Sequence, residues 1–401
     1  MNMHVCACLS QMCGNHRVSR HDCALCAASC VLSMNVPFID IYEQESKKMN
    51  AATNILLTGK VQINTVSAEI GYGTSSVVFN EGDKMFSTIT FPSLPIKLKN
   101  TKDLSGGLFD GAVQKSNVLV SHNDMKFEVG PNICSTSGRM TTRVLNDNYV
   151  QSEQYQVLLK GALLLQPHNK IDCLALGLPV NRLGLKEELE QSISKLSFED
   201  RCFQIKNIWI IAQPFAALLH HVEQKSENGL SFLKGKSYLT LDIGYLTFDY
   251  IVTNGMHINS EMSGACDLGM SVLIREITEH LKTTFSLNDL NSELINQAFE
   301  LGKLKLFGKE YSFPKHEGGD VSFDVMPLIT KHMQRAVNEV INIVGQGEQL
   351  SGIVICGGAS SYLEPVVKNA FKFLETDTYG IDAVAKGLQY GAILKSLKAK
   401  N

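Results

Sequence analysis

Thr240-Leu-Asp-Ile-Gly-Tyr-Leu-Thr-Phe-Asp-Tyr-Ile251 decides how this chain is read, because Ser67-Ala-Glu-Ile-Gly-Tyr-Gly-Thr-Ser-Ser-Val-Val78 repeats its pattern earlier in the sequence. Both segments carry an acid, then Ile-Gly-Tyr, then Thr at the same offsets. In each, an apolar run delivers the acid and a Gly-containing turn. A second strand-like run then leaves, Val77–Phe79 in one copy and Phe248–Val252 in the other. Each copy predicts a β-hairpin with a polar tip, and the pair predicts a chain built from two related halves.

A hairpin tip with glycine where no Cβ fits exposes successive backbone N–H groups, a concavity suited to phosphate. One such turn means little, since an ordinary tight hairpin explains it. Two matched turns, Gly71-Tyr72-Gly73-Thr74 and Gly244-Tyr245-Leu246-Thr247, can clasp a polyphosphate from opposite sides. Asp242 ends an apolar strand, where an unpaired carboxylate is costly to desolvate, so a cation is expected beside it. Mg²⁺ with retained waters is the natural partner next to phosphates, and Glu69 is placed to reach the same hydrated ion. Asp249 has two open readings, a hydrogen-bond anchor for its hairpin or a direct ligand.

Further along, Met270, Leu273, Ile274, Ile277 and Leu281 share one helical face. So do Ile329, Met333, Ala336, Val337, Val340, Ile341 and Val344. Gly352-Ile-Val-Ile-Cys-Gly-Gly-Ala-Ser360 then reads as a buried strand and a double-glycine turn leading into a helix over Leu363–Phe373. Gly357, Gly358 and Ala359 would let a base and ribose lie on the backbone, although a plain strand-to-helix connection gives the same pattern. Near the end, Val384, Gly387, Leu388 and Gly391 form a small-residue helical face that permits close approach to a neighbour. No G-x-x-x-x-G-K-[ST] sequence is present, and Gly71-x-Gly73 leads into a strand rather than a helix, which excludes P-loop and Rossmann readings.

Composition agrees with a folded chain. The 401 residues are 44% hydrophobic and 19% charged with net charge −3, which gives no overall cationic field for direct binding to nucleic acid. No apolar run is long enough for a membrane span, and no signal peptide is read. Residues 1–48 differ in kind. They hold six of the 11 cysteines, with Cys23-x2-Cys26-x3-Cys30 downstream of Cys6, Cys8, Cys13, His4, His16 and His21. That set could supply zinc ligands, but the preferred reading is a disordered or untranslated extension with Met49 as the start. The scattered remaining cysteines read as reduced thiols, hence a cytoplasmic location.

Taken in order, these elements resemble the actin, sugar-kinase and heat-shock-chaperone superfamily of ATPases. The likeness is strongest to bacterial plasmid-segregation actins of the ParM/StbA type, above all the protein D family of PRTRC systems, over about Val61 to Ser396. Glu69–Ser76 is similar to the first phosphate motif, Leu241–Asp249 to the second, and Ile353–Ala359 to the adenosine motif. Gly177-Leu-Pro-Val180, Gly264-Ala-Cys-Asp-Leu-Gly269, Leu301-Gly-Lys303 and Lys386–Gly391 support it.

The resemblance implies an α/β, actin-like fold, with two ribonuclease-H-like domains closing over Mg-ATP. Domain I would span 51–236, with a variable subdomain at about 91–149, domain II would span 237–375, and 376–401 would form a helix returning to domain I. It places Gln213 as the residue orienting the attacking water, Asp242 as a catalytic and metal-binding carboxylate, and Gly269 at the nucleotide. It also implies ATP-dependent filaments that segregate DNA through a DNA-binding adaptor. The first motif departs from the family pattern, with Glu69 for Asp and Ser76 for Lys, which points to slow or altered hydrolysis. A non-polymerising docking scaffold and a small-molecule kinase are the alternatives on this fold.

Overall fold

The first strand, β1 (Thr65–Ile70), runs into the turn at Gly71–Gly73 and returns as β2 (Thr74–Glu81), pairing antiparallel with Glu69 opposite Ser76. The computed structural model describes residues 63–82, 84–98, 116–133, 143, 148–199 and 201–400. The Cys-rich extension over 1–48, the expected start of domain I at 51 and parts of its variable subdomain lie outside the described residues. β3 (Lys84–Pro92) pairs antiparallel with β2, while β4 (Cys173–Leu178) and β5 (Ile208–Ala212) add in parallel on the other side of β1. The first sheet therefore has the order β5-β4-β1-β2-β3.

The second half repeats this wiring. β6 (Ser237–Ile243) and β7 (Phe248–Asn254) form the second hairpin, with Asp242 opposite Asp249, and β8 (His257–Cys266) extends it. β9 (Gly352–Cys356) and β10 (Thr376–Thr378) run parallel to β6, giving β10-β9-β6-β7-β8. Two five-stranded mixed sheets of identical strand order are what the ribonuclease-H-like expectation requires. Parallel neighbours need crossovers, and helices supply them.

In the first half these are α1 (Glu153–Leu165), capped by the Ser152 hydroxyl, α2 (Lys186–Ser194), and α3 (Gln213–Lys225), which follows β5. In the second half, α4 (Met270–Thr284), α5 (Ser292–Leu301) and α6 (Met326–Val344) precede β9, α7 (Ser360–Ala370) follows it, and α8 (Ala383–Lys400) ends the chain. α6 buries Ile329, Met333, Ala336, Val337, Val340 and Val344 along one stripe, each such side chain contributing roughly 1–3 kcal/mol of burial.

α3 and α8 exchange partners between the sheets. α3 leaves the first sheet but also packs on β6, β7 and β9 of the second, whereas α8 leaves the second and packs on β1 and β4 of the first. Ser67 donates its hydroxyl to the Ala385 carbonyl (2.7 Å), and the Gln389 amide donates to Thr65, fixing α8 there. Their crossing is backbone-close: a Cβ on Gly387 would lie 1.7 Å from the Ala216 carbonyl oxygen. Every residue from Gln213 to Val222 is buried, because α3 is covered on both sides. Among the described residues no helix is long and apolar enough to cross a membrane, and the cysteines there (Cys173, Cys202, Cys266 and Cys356) are free thiols.

Candidate functional site

A cavity of about 160 Å³ lies where the tips of the two hairpins meet. Its lining includes Glu69, Gly71, Tyr72, Gly73 and Thr74 from the first half and Asp242, Gly244, Tyr245, Leu246, Thr247, Gly357 and Gly358 from the second. Gln213, the first residue of α3, also faces it. Two residues expected at the nucleotide stand behind the wall instead. Ala359 is buried at the start of α7, and Gly269 packs against the second loop, where a Cβ would sit 2.3 Å from the Leu246 carbonyl carbon.

The loops share one geometry. In both, the first glycine's Cβ direction is blocked by the carbonyl oxygen of the threonine three residues on, at 2.6 Å for Gly71 and 3.0 Å for Gly244. No side chain fits that turn. The loops also touch across the halves, since a Cβ on Gly73 would meet the Tyr245 ring at 2.8 Å.

Each loop has its carbonyls tied down by hydrogen bonds from neighbouring segments. In the second, the amides of Gly269, Met270 and Ser271 at the start of α4 donate to the carbonyls of Leu246 (3.1 Å), Gly244 (3.0 Å) and Tyr245 (2.7 Å). In the first, Ser93 Oγ (2.6 Å) and Tyr149 Oη (2.9 Å) donate to the Gly71 carbonyl, and the Ser93 amide donates to that of Gly73 (3.0 Å). The Arg143 guanidinium donates to the carbonyls of Tyr72 (3.1 Å) and Gly73. Carbonyls engaged this way have their lone pairs committed to donors, which lessens their repulsion of an anion beside the loop. Sequence reasoning missed Ser93, Tyr149 and Arg143, which belong to no local motif.

Carboxylates dominate the charge of the cavity. Glu69, Asp242, Asp249 and Glu300 line it, and Arg182 is the sole basic side chain among its lining residues. Burial, then the nearby Asp242 and Asp382, pushes the Glu69 carboxyl well above its ordinary range. Burial and the facing Asp249 raise Asp242 to about 7, against a thiol hydrogen bond from Cys356 that favours the ionised form. Asp249 rises to about 6 through burial, although both its oxygens are engaged: Thr247 Oγ1 donates to one (2.5 Å) and the Val180 amide to the other (2.7 Å). Asp249 thus anchors its own hairpin and ties it to the segment after β4, while still lining the cavity.

Such a set of hard oxygens, four carboxyl groups against the one guanidinium of Arg182 in the lining, fits Mg²⁺. Among the described residues no three His, Cys, Asp or Glu side chains converge to cage a bare ion. An ion that keeps its waters and takes its other ligands from phosphate needs only Asp242 and Glu69 from the protein. Ser76, the departure from the family pattern, stands opposite Glu69, where its hydroxyl pairs with that of Thr90 (3.0 Å). It brings no positive charge.

Residues 68–215 match the family described as Actin like proteins N terminal domain, and residues 240–369 match Archaeal actin homologue MreB-like, C-terminal. No curated protein matches the chain in sequence. Among solved structures, the archaeal actin homolog Ta0583 aligns with a TM-score of 0.64 at 16% identity, over 82% of this chain and 99% of its own. Its complex with ADP gives 0.60 at 16%, over 84% and 99%. A 15-stranded ParM filament from Clostridium botulinum gives 0.63 at 20%, over 84% of this chain and 100% of that one. Likeness at these identities shows the fold, an actin-like pair of mixed α/β sheets.

Proposed function

We propose, from the premise that this chain belongs to the actin-like ATPase family, that it binds Mg-ATP between its halves, hydrolyses it slowly and assembles into nucleotide-dependent filaments. The observation that carries this reading is the contact of two matching loops across the cleft, each with its carbonyls hydrogen-bonded to neighbouring segments. Relatives of the same fold include one solved with ADP and one solved as a filament. Within the family the reading is of the ParM/StbA type, near the PRTRC protein D group, with filaments moving DNA through a DNA-bound adaptor.

The loop amides hold the phosphates, and Gly357-Gly358 offers a surface without side chains for the nucleoside. Gln213 is presented by a fully buried helix end, so its amide can orient water without needing to act as a strong base. Mg²⁺ supplies the positive charge that Glu69 and Asp242 call for and that Ser76 does not provide. Closure over the triphosphate fits one protomer to the next, and loss of the terminal phosphate loosens that fit.

Ser76 favours one second reading, a docking scaffold that binds ATP without polymerising, because its hydroxyl is spent on Thr90 opposite Glu69. Sedimentation and light scattering with Mg-ATP, Mg-ADP and no nucleotide separate the two. Filament assembly requires a concentration threshold for pelleting with ATP alone and none for Asp242→Ala. Pelleting that ignores nucleotide would defeat the switch, and ATP binding without pelleting would select the scaffold.

A further inference from the structure

The halves are joined by the chain itself at α3 and α8, and by a second junction made of side chains. Arg143 sits in the first half with its side chain 5% exposed, and Glu293 opens α5 in the second with 17%. Nε donates to Glu293 Oε2 (3.0 Å) and Nη2 to Oε1 (2.9 Å), a two-pronged pair. Nη1 holds the first loop by the Tyr72 and Gly73 carbonyls, and the guanidinium lies over the Tyr245 ring of the second loop, 4.9 Å from its centre. Asn296, one turn along α5, donates to Glu293 (3.2 Å) and lines the cavity. One side chain therefore touches both loops and the opposite half.

We infer that the Arg143–Glu293 ion pair gates nucleotide exchange, closing the cleft behind a bound nucleotide and resisting its release. This deepens the function proposed above and rests on it. The two loops touch across the cavity, where a Cβ on Gly73 would meet the Tyr245 ring at 2.8 Å, so a nucleotide clasped between them enters and leaves as the halves part. Parting either breaks the pair or pulls Arg143 off the first loop. A pair with Arg143 buried, Glu293 mostly covered and both prongs satisfied resists that step, because the guanidinium loses its partner before water replaces it. Entry and release are slowed together, so rates respond more than affinity does.

The test uses the full chain, Glu293→Gln and Arg143→Lys, each first checked by thermal unfolding. Glu293→Gln keeps the shape and removes the charge, while Arg143→Lys keeps the charge but cannot span glutamate and carbonyls together. Release of a fluorescent ADP analogue, chased with unlabelled ADP, is expected to quicken at least about tenfold in both variants, with association faster as well. Ligand-free hydrogen exchange is expected to rise at 71–74, whose Tyr72 and Gly73 carbonyls Arg143 holds, and to stay unchanged at 244–247, which the α4 amides hold. Release within about twofold of the parent, with folding intact, would overturn the gate. If the parent fails to bind the analogue, the functional reading falls, and ligand-free exchange still decides the junction: unchanged protection of 71–74 in Glu293→Gln would overturn it independently.

Discussion

Replacing Asp242 with asparagine should make the ligand-free protein more stable and unable to respond to Mg-ATP. Burial and Asp249 raise this carboxyl from an ordinary 3.8 to about 7, so the folded state holds its proton where the unfolded chain has released it. Stability from this group is complete below pH 4 and drains away as pH rises through 7, since the native state binds more protons across that window. At 1.36 kcal/mol per tenfold, ionised Asp242 costs about 4 kcal/mol by pH 8 and under about 1 kcal/mol at pH 4. Asparagine keeps the shape and an acceptor for the Cys356 thiol, yet carries no charge to desolvate. Urea unfolding of both proteins from pH 4 to 8 should show a variant advantage that grows with pH. Saturating Mg-ATP should return about 3 kcal/mol to the parent at 100 times Kd and little to the variant. An Asp242→Asn protein less stable than its parent at pH 8, or equally favoured at both ends of the range, would mean the carboxylate already has a partner, and the case for a cation would collapse.

Gln213→Ala should bind nucleotide within about threefold of the parent and slow phosphate release about 10- to 100-fold, the pattern of lost positioning; parallel losses in binding and turnover would reassign it to packing. Ser76→Lys puts an ammonium opposite Glu69 in place of the bond to Thr90, and calorimetry should find Mg-ATP bound about tenfold more tightly, weaker binding counting against the charge argument. Gly387→Ala forces a Cβ to 1.7 Å from the Ala216 carbonyl oxygen, where neither helix backbone can yield. The loss should be at least about 3 kcal/mol in urea, and a tolerated alanine would show that α3 and α8 slide freely.

The hairpins, their acids and the glycine turns were legible because each is a local pattern. An acid, a glycine and a threonine at fixed offsets encode a strand end and a turn without help from distant residues. Two copies of that pattern then specified two sheets of one topology. What surrounds the loops was not legible, since it arrives from afar: Arg143 reaches Gly73 across 70 residues, and Val180 reaches Asp249 across 69. Asp249 shows the limit well. Sequence left anchor and ligand equally open, and the anchor's partners, Thr247 and Val180, came only with the structure. Gly387 and Gly391 announced a close approach but not its partners, Ala216 and the Trp209 ring.

The duplication is faithful in the strands and broken around the loops, and the break carries functional meaning. The second loop is held by three amides of α4, backbone groups within one half that stay in place whether the cleft is open or shut. The first is held by the Ser93 amide and by three side chains, one of which also bonds Glu293 in the opposite half. Opening the cleft therefore spares the ties of the second loop and loads one prop of the first, Arg143, which must give up either Glu293 or the loop carbonyls. A symmetric pair of loops could only bind. A pair with one loop fixed and the other dependent on closure can report whether the cleft is shut, and a filament-forming nucleotide switch needs that difference.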